Sequence, residues 1–482
     1  MLCFMMAGQR CGYSVARSIM PLMSIQQQNT TSKSAVLTVT TIASFLPAFM
    51  GSSVNIALPS IDKDFSLDAV ALGWMVTIYI LAAAIFAVIF GRLGDIYGRK
   101  KVFLGGLILY FITSVLSALA PSGLFLIIFR GLQGIGAAMI FSTAVAILAS
   151  VFPAHERGSA LGINVAAVYI GLSLGPVLGG LLTQYFGWRS IFAVNALLGC
   201  VVIVMALWKL KGEWAESRGE RFDGIGSVLY GLALAILIYG LTLLPSWTGA
   251  AFIFAGLAGL VLFVHCELRT KNPVLNVNLF RNNTVFLLSS LAALVNYSAT
   301  TGVGLLLSLY LQYVQGLGPS AAGLIMVSQP FLQAVLSPFA GKISDRIEPR
   351  VVASLGMTLT TISLIMLIFV SRDTSLVYII INLMILGTGF ALFSSPNTNA
   401  IMRSVERKFY GVASATVATM RLIGQMMSLG IVTLLFALFI GRVQITADTS
   451  VAFMDSYKMA FIIFAVLCAG GIIASLRRGN TR

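Results

Sequence analysis

The stretch Gly91-Arg-Leu-Gly-Asp-Ile-Tyr-Gly-Arg-Lys-Lys101 lies between two long apolar runs. A degraded copy returns as Gly341-Lys-Ile-Ser-Asp-Arg-Ile-Glu-Pro-Arg350. Gly91 matches Gly341 and Asp95 matches Asp345, an offset of 250 residues. Each copy is a short basic turn, too charged to enter hydrocarbon, between segments apolar enough to do so. Glu156-Arg157 and Glu406-Arg407 repeat the same offset, each before a small-residue helix start, Gly158-Ser-Ala-Leu-Gly and Gly411-Val-Ala-Ser-Ala. Two independent matches at one spacing imply two related halves. Duplicated bundles of membrane helices are a common architecture of secondary transporters.

Composition agrees. The 482 residues are 58% hydrophobic and 10% charged, where soluble domains carry roughly a quarter charged residues. Mean hydropathy is +0.95. Apolar windows of roughly 20 residues, the length that spans a bilayer, can be marked fourteen times, from 35–58 to 457–476. The expected fold class is an all-α polytopic membrane protein. The net charge of +15 could suggest nucleic acid, but its distribution says otherwise. With the N-terminus inside, 24 of the 31 Lys and Arg fall in cytoplasmic segments; Lys63, Arg189, Arg372, Arg442 and Lys458 lie opposite, and Arg130 and Arg421 lie within spans. That bias follows the positive-inside rule. It predicts a multi-pass protein of the plasma or inner membrane with both termini cytoplasmic, and removes nucleic acid as a partner.

The domain plan reads six, two and six helices. Residues 1–34 form a cytoplasmic tail without the pattern of a signal peptide, and 35–208 a first bundle. Residues 209–284 carry two linker helices with flanking loops, 285–476 the second bundle, and 477–482 a cytoplasmic tail. Cys3, Cys11, Cys200, Cys266 and Cys468 form no C-x-x-C, and His155 and His265 are too few for a metal site. No metal and no cofactor is expected. No G-x-x-x-x-G-K-[ST] occurs, which excludes an ATP-driven pump on one chain. A membrane-embedded enzyme would need clustered His, Asp or Ser, and a channel would need pore-lining symmetry without latch loops.

Several segments now carry a family resemblance. The loop from Gly91 to Val102 resembles the signature loop of the major facilitator superfamily. Arg130-Gly-Leu-Gln-Gly-Ile-Gly136 resembles its fourth-helix motif, and Gly171-Leu-Ser-Leu-Gly-Pro-Val-Leu-Gly-Gly180 the fifth-helix motif of antiporters. Four further segments are similar to the fourteen-helix drug:proton antiporter group. They are Asn55-Ile-Ala-Leu-Pro-Ser-Ile61, Trp74-Met-Val-Thr-Ile-Tyr-Ile-Leu81, Gly187-Trp-Arg-Ser-Ile-Phe192 and Arg421-Leu-Ile-Gly-Gln-Met-Met-Ser-Leu-Gly430. The resemblance covers nearly everything after residue 35. It implies a major facilitator fold of two six-helix pseudo-symmetric bundles plus two extra central helices, and secondary transport driven by protons.

The motif residues also have a physical reading. Gly91, Gly94 and Gly98 allow a tight turn, Arg99 with Lys100 and Lys101 fixes topology, and Asp95 is placed to meet a helix N-terminus or an Arg. By the resemblance this is a latch between conformations, with Asp345 and Arg346 as its degraded counterpart. Arg130 sits about 10 Å into its span and Arg421 about 15 Å. A guanidinium at such depth is costly unless it has a function. Gly171, Gly175 and Gly179 make one smooth helix face beside Pro176, suited to close packing. The expected substrate-binding set is Asn55, Trp74, Tyr79, Arg130, Gln133, Asn164, Asn296, Gln329, Asn397 and Arg421.

One departure matters. The antiporter group usually carries an Asp four residues before the stretch matching Val54 to Pro59, and here that position is Met50. All 16 acidic residues fall in loops or near helix ends. Two cations and no carboxylate at mid-membrane tilt the expectation toward a neutral or anionic amphipath. Asp62 or Asp64 remains as the acidic route for protons. The expected protein is therefore a monomeric, proton-coupled exporter of amphipathic drugs or metabolites working by alternating access; the alternative is a specific exporter or facilitator of a neutral or anionic metabolite or vitamin.

Overall fold

The computed structural model describes residues 32–479 apart from 271–272, 274–279, 281–282, 406–409 and 447. The side chains of residues 154, 155, 158, 345, 410–412 and 414 also lie outside the description. A backbone in hydrocarbon must satisfy its own polar groups, so long apolar segments become helices. The helices are α1 (Lys33–Phe65), α2 (Ala69–Tyr97), α3 (Arg99–Ala118), α4 (Gly123–Val151), α5 (Ala154–Phe186) and α6 (Arg189–Lys209). The extra pair is α7 (Gly224–Thr242) and α8 (Trp247–Glu267). Then come α9 (Thr284–Leu309), α10 (Pro319–Met326), α11 (Ser328–Arg346), α12 (Pro349–Ile368), α13 (Leu376–Arg403), α14 (Tyr410–Phe439) and α15 (Ser450–Arg477). Helices α10 and α11 form one span interrupted at Val327, so the helices make 14 candidate spans among the described residues. The protein is a multi-pass membrane protein.

Helix starts follow local chemistry. Asp68, Asp223, Ser246, Asn283 and Ser375 cap α2, α7, α8, α9 and α13 by accepting from backbone N–H groups of the first turn. Pro330 accounts for the break between α10 and α11, because it cannot donate to the carbonyl of Met326. Helix α9 runs into a π turn, Tyr310–Val314.

The two halves repeat internally. Gln133 of α4 donates to Ser114 of α3 at 2.8 Å, and Ser363 of α12 donates to Asn382 of α13 at 2.5 Å. The two pairs are offset by 249 residues. Gly106 faces the Gly136 carbonyl, and Gly356 faces that of Gly389. The halves meet along α1 with α9, α2 with α14, and α5 with α10. Helix α7 covers the α2–α14 seam, where Leu81, Tyr230, Leu237, Leu422 and Met426 share an apolar cluster. Helix α8 lies outermost. Large apolar side chains such as Trp208, Trp247 and Phe254 stay exposed on the outside, as lipid-facing surface requires.

The glycine face of α5 packs on α1. A Cβ at Gly171 would lie 2.9 Å from the Phe45 carbonyl oxygen, and one at Gly179 2.8 Å from the Ser53 Cβ. At Gly175 a Cβ would overlap Ser52. Ser53 donates to the Gly175 carbonyl at 3.0 Å, and Ser52 to that of Gly171 at 3.4 Å. Helix α5 passes through Pro176 unbroken, held by this contact.

Candidate functional site

Four groups of polar residues stand out in the helix bundle. The first is sealed inside the first half. Arg130 is fully buried and donates from Nη1 to Gln133 Oε1 at 2.5 Å. Its guanidinium lies 4.1 Å from the ring centre of Tyr79, a distance at which the ring face attracts a cation. Gln133 and Asn195 both donate to Ser114, at 2.8 and 3.2 Å. Tyr110 donates to the Leu46 carbonyl at 3.3 Å. Arg130 Nε has no partner among the described residues. The network ties α1, α2, α3, α4 and α6 together. Arg130, Gln133 and Tyr79 were anticipated from the motif; Ser114, Tyr110 and Asn195 were not. The spacing of 19 residues between Ser114 and Gln133, repeated between Ser363 and Asn382, is the signal that could have found them.

The second group lies on helices α1, α5, α9, α11, α13 and α14, where the halves approach each other. Arg421, near the middle of α14, is half-buried, and its guanidinium lies 6.0 Å from the Tyr297 ring centre. Its Nε has no partner among the described residues. Tyr297 packs edge-on against Phe390 at 5.2 Å. Between the halves the hydroxyls of Tyr169 on α5 and Ser394 on α13 lie 3.4 Å apart. Gln329, half-buried, follows the break between α10 and α11. Asn296 is fully buried with both amide atoms unpartnered among the described residues, and half-buried Asn55 has an unpartnered Oδ1. Met50 is wholly buried.

The remaining three candidates lie elsewhere. Asn164 donates to the Thr40 carbonyl and to Ser44, at 3.1 and 3.0 Å, in the α1–α5 contact. Asn397 donates to the Ser289 carbonyl at 3.0 Å and accepts from Arg478 at 2.6 Å. Arg478 was read as tail because it follows the last apolar run, yet it is 1% exposed. Burial pushes its guanidinium down to about 10, so it stays charged at neutral pH. Trp74 meets Tyr239 at a tilt of 49° with ring centres 6.4 Å apart, and lines an outer cleft of about 210 Å³ with Asp68 and Arg442.

The third group is a clasp on the basic face, where the chain enters α1 and leaves α15. Asp95 pairs with Arg99 at 2.6 Å, and Arg99 pairs with Glu216 of the 210–223 segment at 2.7 Å. Arg92 pairs with Glu220 at 2.6 Å. The Lys100 N–H donates to Glu213 at 2.7 Å, and the Ser217 N–H to the Asp95 carbonyl at 3.0 Å. Arg99 also donates to the Ala146 carbonyl at 3.2 Å. Gly98, at φ +121°, leaves room for Glu213 where a Cβ would collide. The hydrogen bond from Arg99 holds the Glu216 carboxyl below its ordinary range. The acidic partners in the linker were missed, because a solvated charged loop gives no periodic signal. Gly91 lies against Ser142 of α4. Arg346 is exposed, and the side chain of Asp345 lies outside the described ones.

The fourth group joins the halves on the opposite face. Ser308 donates to the Asn55 carbonyl at 2.6 Å, and Gln312 to that of Ile56 at 3.0 Å. Tyr313 donates to Asp62 Oδ2, and Gln444 to Asp62 Oδ1 at 3.5 Å. The Ala69 N–H donates to the Val443 carbonyl at 2.9 Å, and Thr77 and Thr433 hydroxyls lie 3.2 Å apart.

Comparison with known proteins agrees with this arrangement. Residues 40–223 and 289–481 match the family model of the Major Facilitator Superfamily, which leaves α7 and α8 unmatched. Over 377 residues the chain is 36% identical to the multidrug resistance protein Stp of Mycobacterium tuberculosis (strain CDC 1551 / Oshkosh), covering 77% of this chain and 70% of that one. It is 28% identical to the riboflavin transporter RibZ of Clostridioides difficile (strain 630), covering 92% and 96%. It is also 28% identical to the tetracenomycin C resistance and export protein of Streptomyces glaucescens, covering 81% and 73%. Among solved structures, a bacterial homolog of the human lysosomal transporter Spinster shares the fold with a TM-score of 0.69 at 16% identity, over 93% of this chain and 97% of that chain. The protein belongs to the Major Facilitator Superfamily, resembles its drug:proton antiporters, and is a transporter of small molecules rather than an enzyme.

Proposed function

We propose that the protein exports amphipathic small molecules by alternating access, coupled to protons. In this reading residues 35–208 and 285–476 are the halves that rock, and 209–284 carries a clasp and two accessory helices. The basic face is cytoplasmic, the seam between Asp62 and Tyr313 is extracellular, and a single chain is the working unit. The observation that carries the reading is Arg421, half-buried near mid-span beside Tyr297, with Tyr169 and Ser394 meeting from the two halves. A cation and aromatic rings at mid-membrane suit a flat amphipath, and contact from both halves lets its binding bias their arrangement. The relatives named for multidrug resistance and for tetracenomycin C export support efflux.

A second reading is a specific exporter or facilitator of a neutral or anionic metabolite. It is favoured by Met50, by Arg421, and by the near full-length likeness to a protein named as a riboflavin transporter. One experiment separates the two. Purified protein in proteoliposomes is given an imposed pH gradient, and internal pH is followed as cationic, neutral and anionic amphipaths are added. Proton movement with cationic dyes supports multidrug antiport. Movement with anionic or neutral compounds alone, or exchange that ignores the gradient, supports the specific carrier. No saturable flux of any class would sink both.

A further inference from the structure

We propose that Asp62 is a proton-binding site built into the extracellular closure, taking up a proton as the halves close there and releasing it as they open. Only the sidedness rests on the function proposed above.

Asp62 is an acid at the joint itself. It belongs to α1, is 5% exposed, and receives hydrogen bonds from the Leu67 N–H just beyond its own helix, from Tyr313 at the end of α9 and from Gln444 in the 440–449 loop. Tyr313 and Gln444 come from the other half, so those two bonds exist only while the face is shut, whereas the Leu67 bond lies within one half. Asp64, two residues on, has 45% of its side chain exposed and pairs with Arg189 at 2.8 Å and the Trp188 indole at 2.7 Å, inside its own half. Asp64 therefore has no need of the seam.

The duplication supplies a comparison. The counterpart of Asp62 at the 250-residue offset is Gln312. Gln312 crosses the same seam in the reverse direction, donating to the Ile56 carbonyl. A neutral amide thus suffices to join the halves at this level. The carboxylate at the equivalent position adds a titratable group that the joint does not require.

Its neighbours make closure sensitive to its charge. Lys63, on the same helix, is the charged side chain that acts on Asp62 directly; Arg189 is engaged with Asp64, and Tyr313 and Gln444 are neutral. No cation from the other half meets the carboxylate among the described residues. Withdrawing an ion from water costs several kcal/mol unless good partners replace the water. Three neutral donors offset only part of that cost, so the protonated acid is easier to seal away. When the face opens, water reaches Asp62 and its proton leaves to the extracellular side. By linkage, extracellular acid favours closure and closure favours protonation.

The test measures closure without requiring transport. Spin labels are placed at Tyr185→Cys and Val377→Cys, exposed positions on the opposite-face ends of the two halves, in a chain whose native cysteines are replaced by serine. Distances in detergent are measured from pH 8 to pH 5. The expected result is a closed-to-open ratio that rises at least about threefold with acid. In D62N the ratio at pH 8 should already match the acid value and stay flat. In Tyr313→Phe the response should persist with its midpoint at higher pH, because a donor to the charged form is gone. A wild-type distribution that ignores pH, or a D62N response that tracks wild type, overturns the proposal. If D62N does not fold, an unshifted midpoint in Tyr313→Phe overturns it equally. Failure to transport any amphipath would sink the function proposed above and leave this readout standing.

Discussion

At the scale of single residues, the two intramembrane arginines have different surroundings. Arg130 is enclosed, with its charge spread over Gln133 and the Tyr79 face. Arg421 is half-buried. A charge-assisted hydrogen bond contributes roughly 1.5–3 kcal/mol, equivalent to about 10- to 100-fold in affinity. Arg421→Ala should therefore weaken binding of an anionic amphipath by about that factor and change a neutral one less than about threefold, measured by counterflow in proteoliposomes. Equal losses for both would assign Arg421 to architecture. Glu216 gives a prediction about pH. Its carboxyl is lowered in the fold, so the Arg99 pairing is complete above the ordinary carboxylate range and weakens only as pH falls through the lowered value. Hydrogen exchange of residues 210–223 should be protected equally at pH 6 and pH 8, after correction for intrinsic rates, and lose protection only below the ordinary carboxylate range. Arg130 and Arg421 were legible as chain positions, since charges inside apolar runs are conspicuous. Ser114 and Asn195 were not, because small polar residues are common in membrane helices.

At the scale of helices, the close approach of α1 and α5 depends on the bare face of Gly171, Gly175 and Gly179. Gly175→Leu must displace Ser52 and the α1 backbone. Overpacking of a tight contact costs about 1–3 kcal/mol. The melting temperature in detergent should fall by several degrees and transport with it. Gly162→Ala on the same helix, where a Cβ meets nothing within 4 Å, is the control and should melt as wild type. A Gly175→Leu protein that melts normally would show that the two helices pack more loosely than their geometry indicates. The glycine period was readable from the chain. Its partner surface on α1, and the serines that hold the carbonyls near Pro176, were not.

At the scale of the whole molecule, the seam on the face opposite the basic one holds the halves together, while the clasp around Arg99 ties the first half to the linker. Thr77 and Thr433 face each other across that seam. A Thr77→Cys, Thr433→Cys pair should form a disulfide on mild oxidation, stop transport, and recover with reductant. Full activity in the cross-linked protein would mean that α2 and α14 do not separate during the cycle.

The chain alone determined the number of spans, the duplication, the basic face and the superfamily. These rest on quantities summed over many residues: apolar length, the 250-residue offset, and the placement of Lys and Arg. Only the tertiary structure decided which polar groups meet, setting Asp62 against Tyr313, Arg99 against Glu216 and Arg478 against Asn397. The physical reason lies in the solvent. A helix in water shows its buried side as an apolar stripe, whereas a membrane helix is apolar both where it meets lipid and where it meets another helix. The sequence of such a helix marks its length and depth and leaves its orientation to packing.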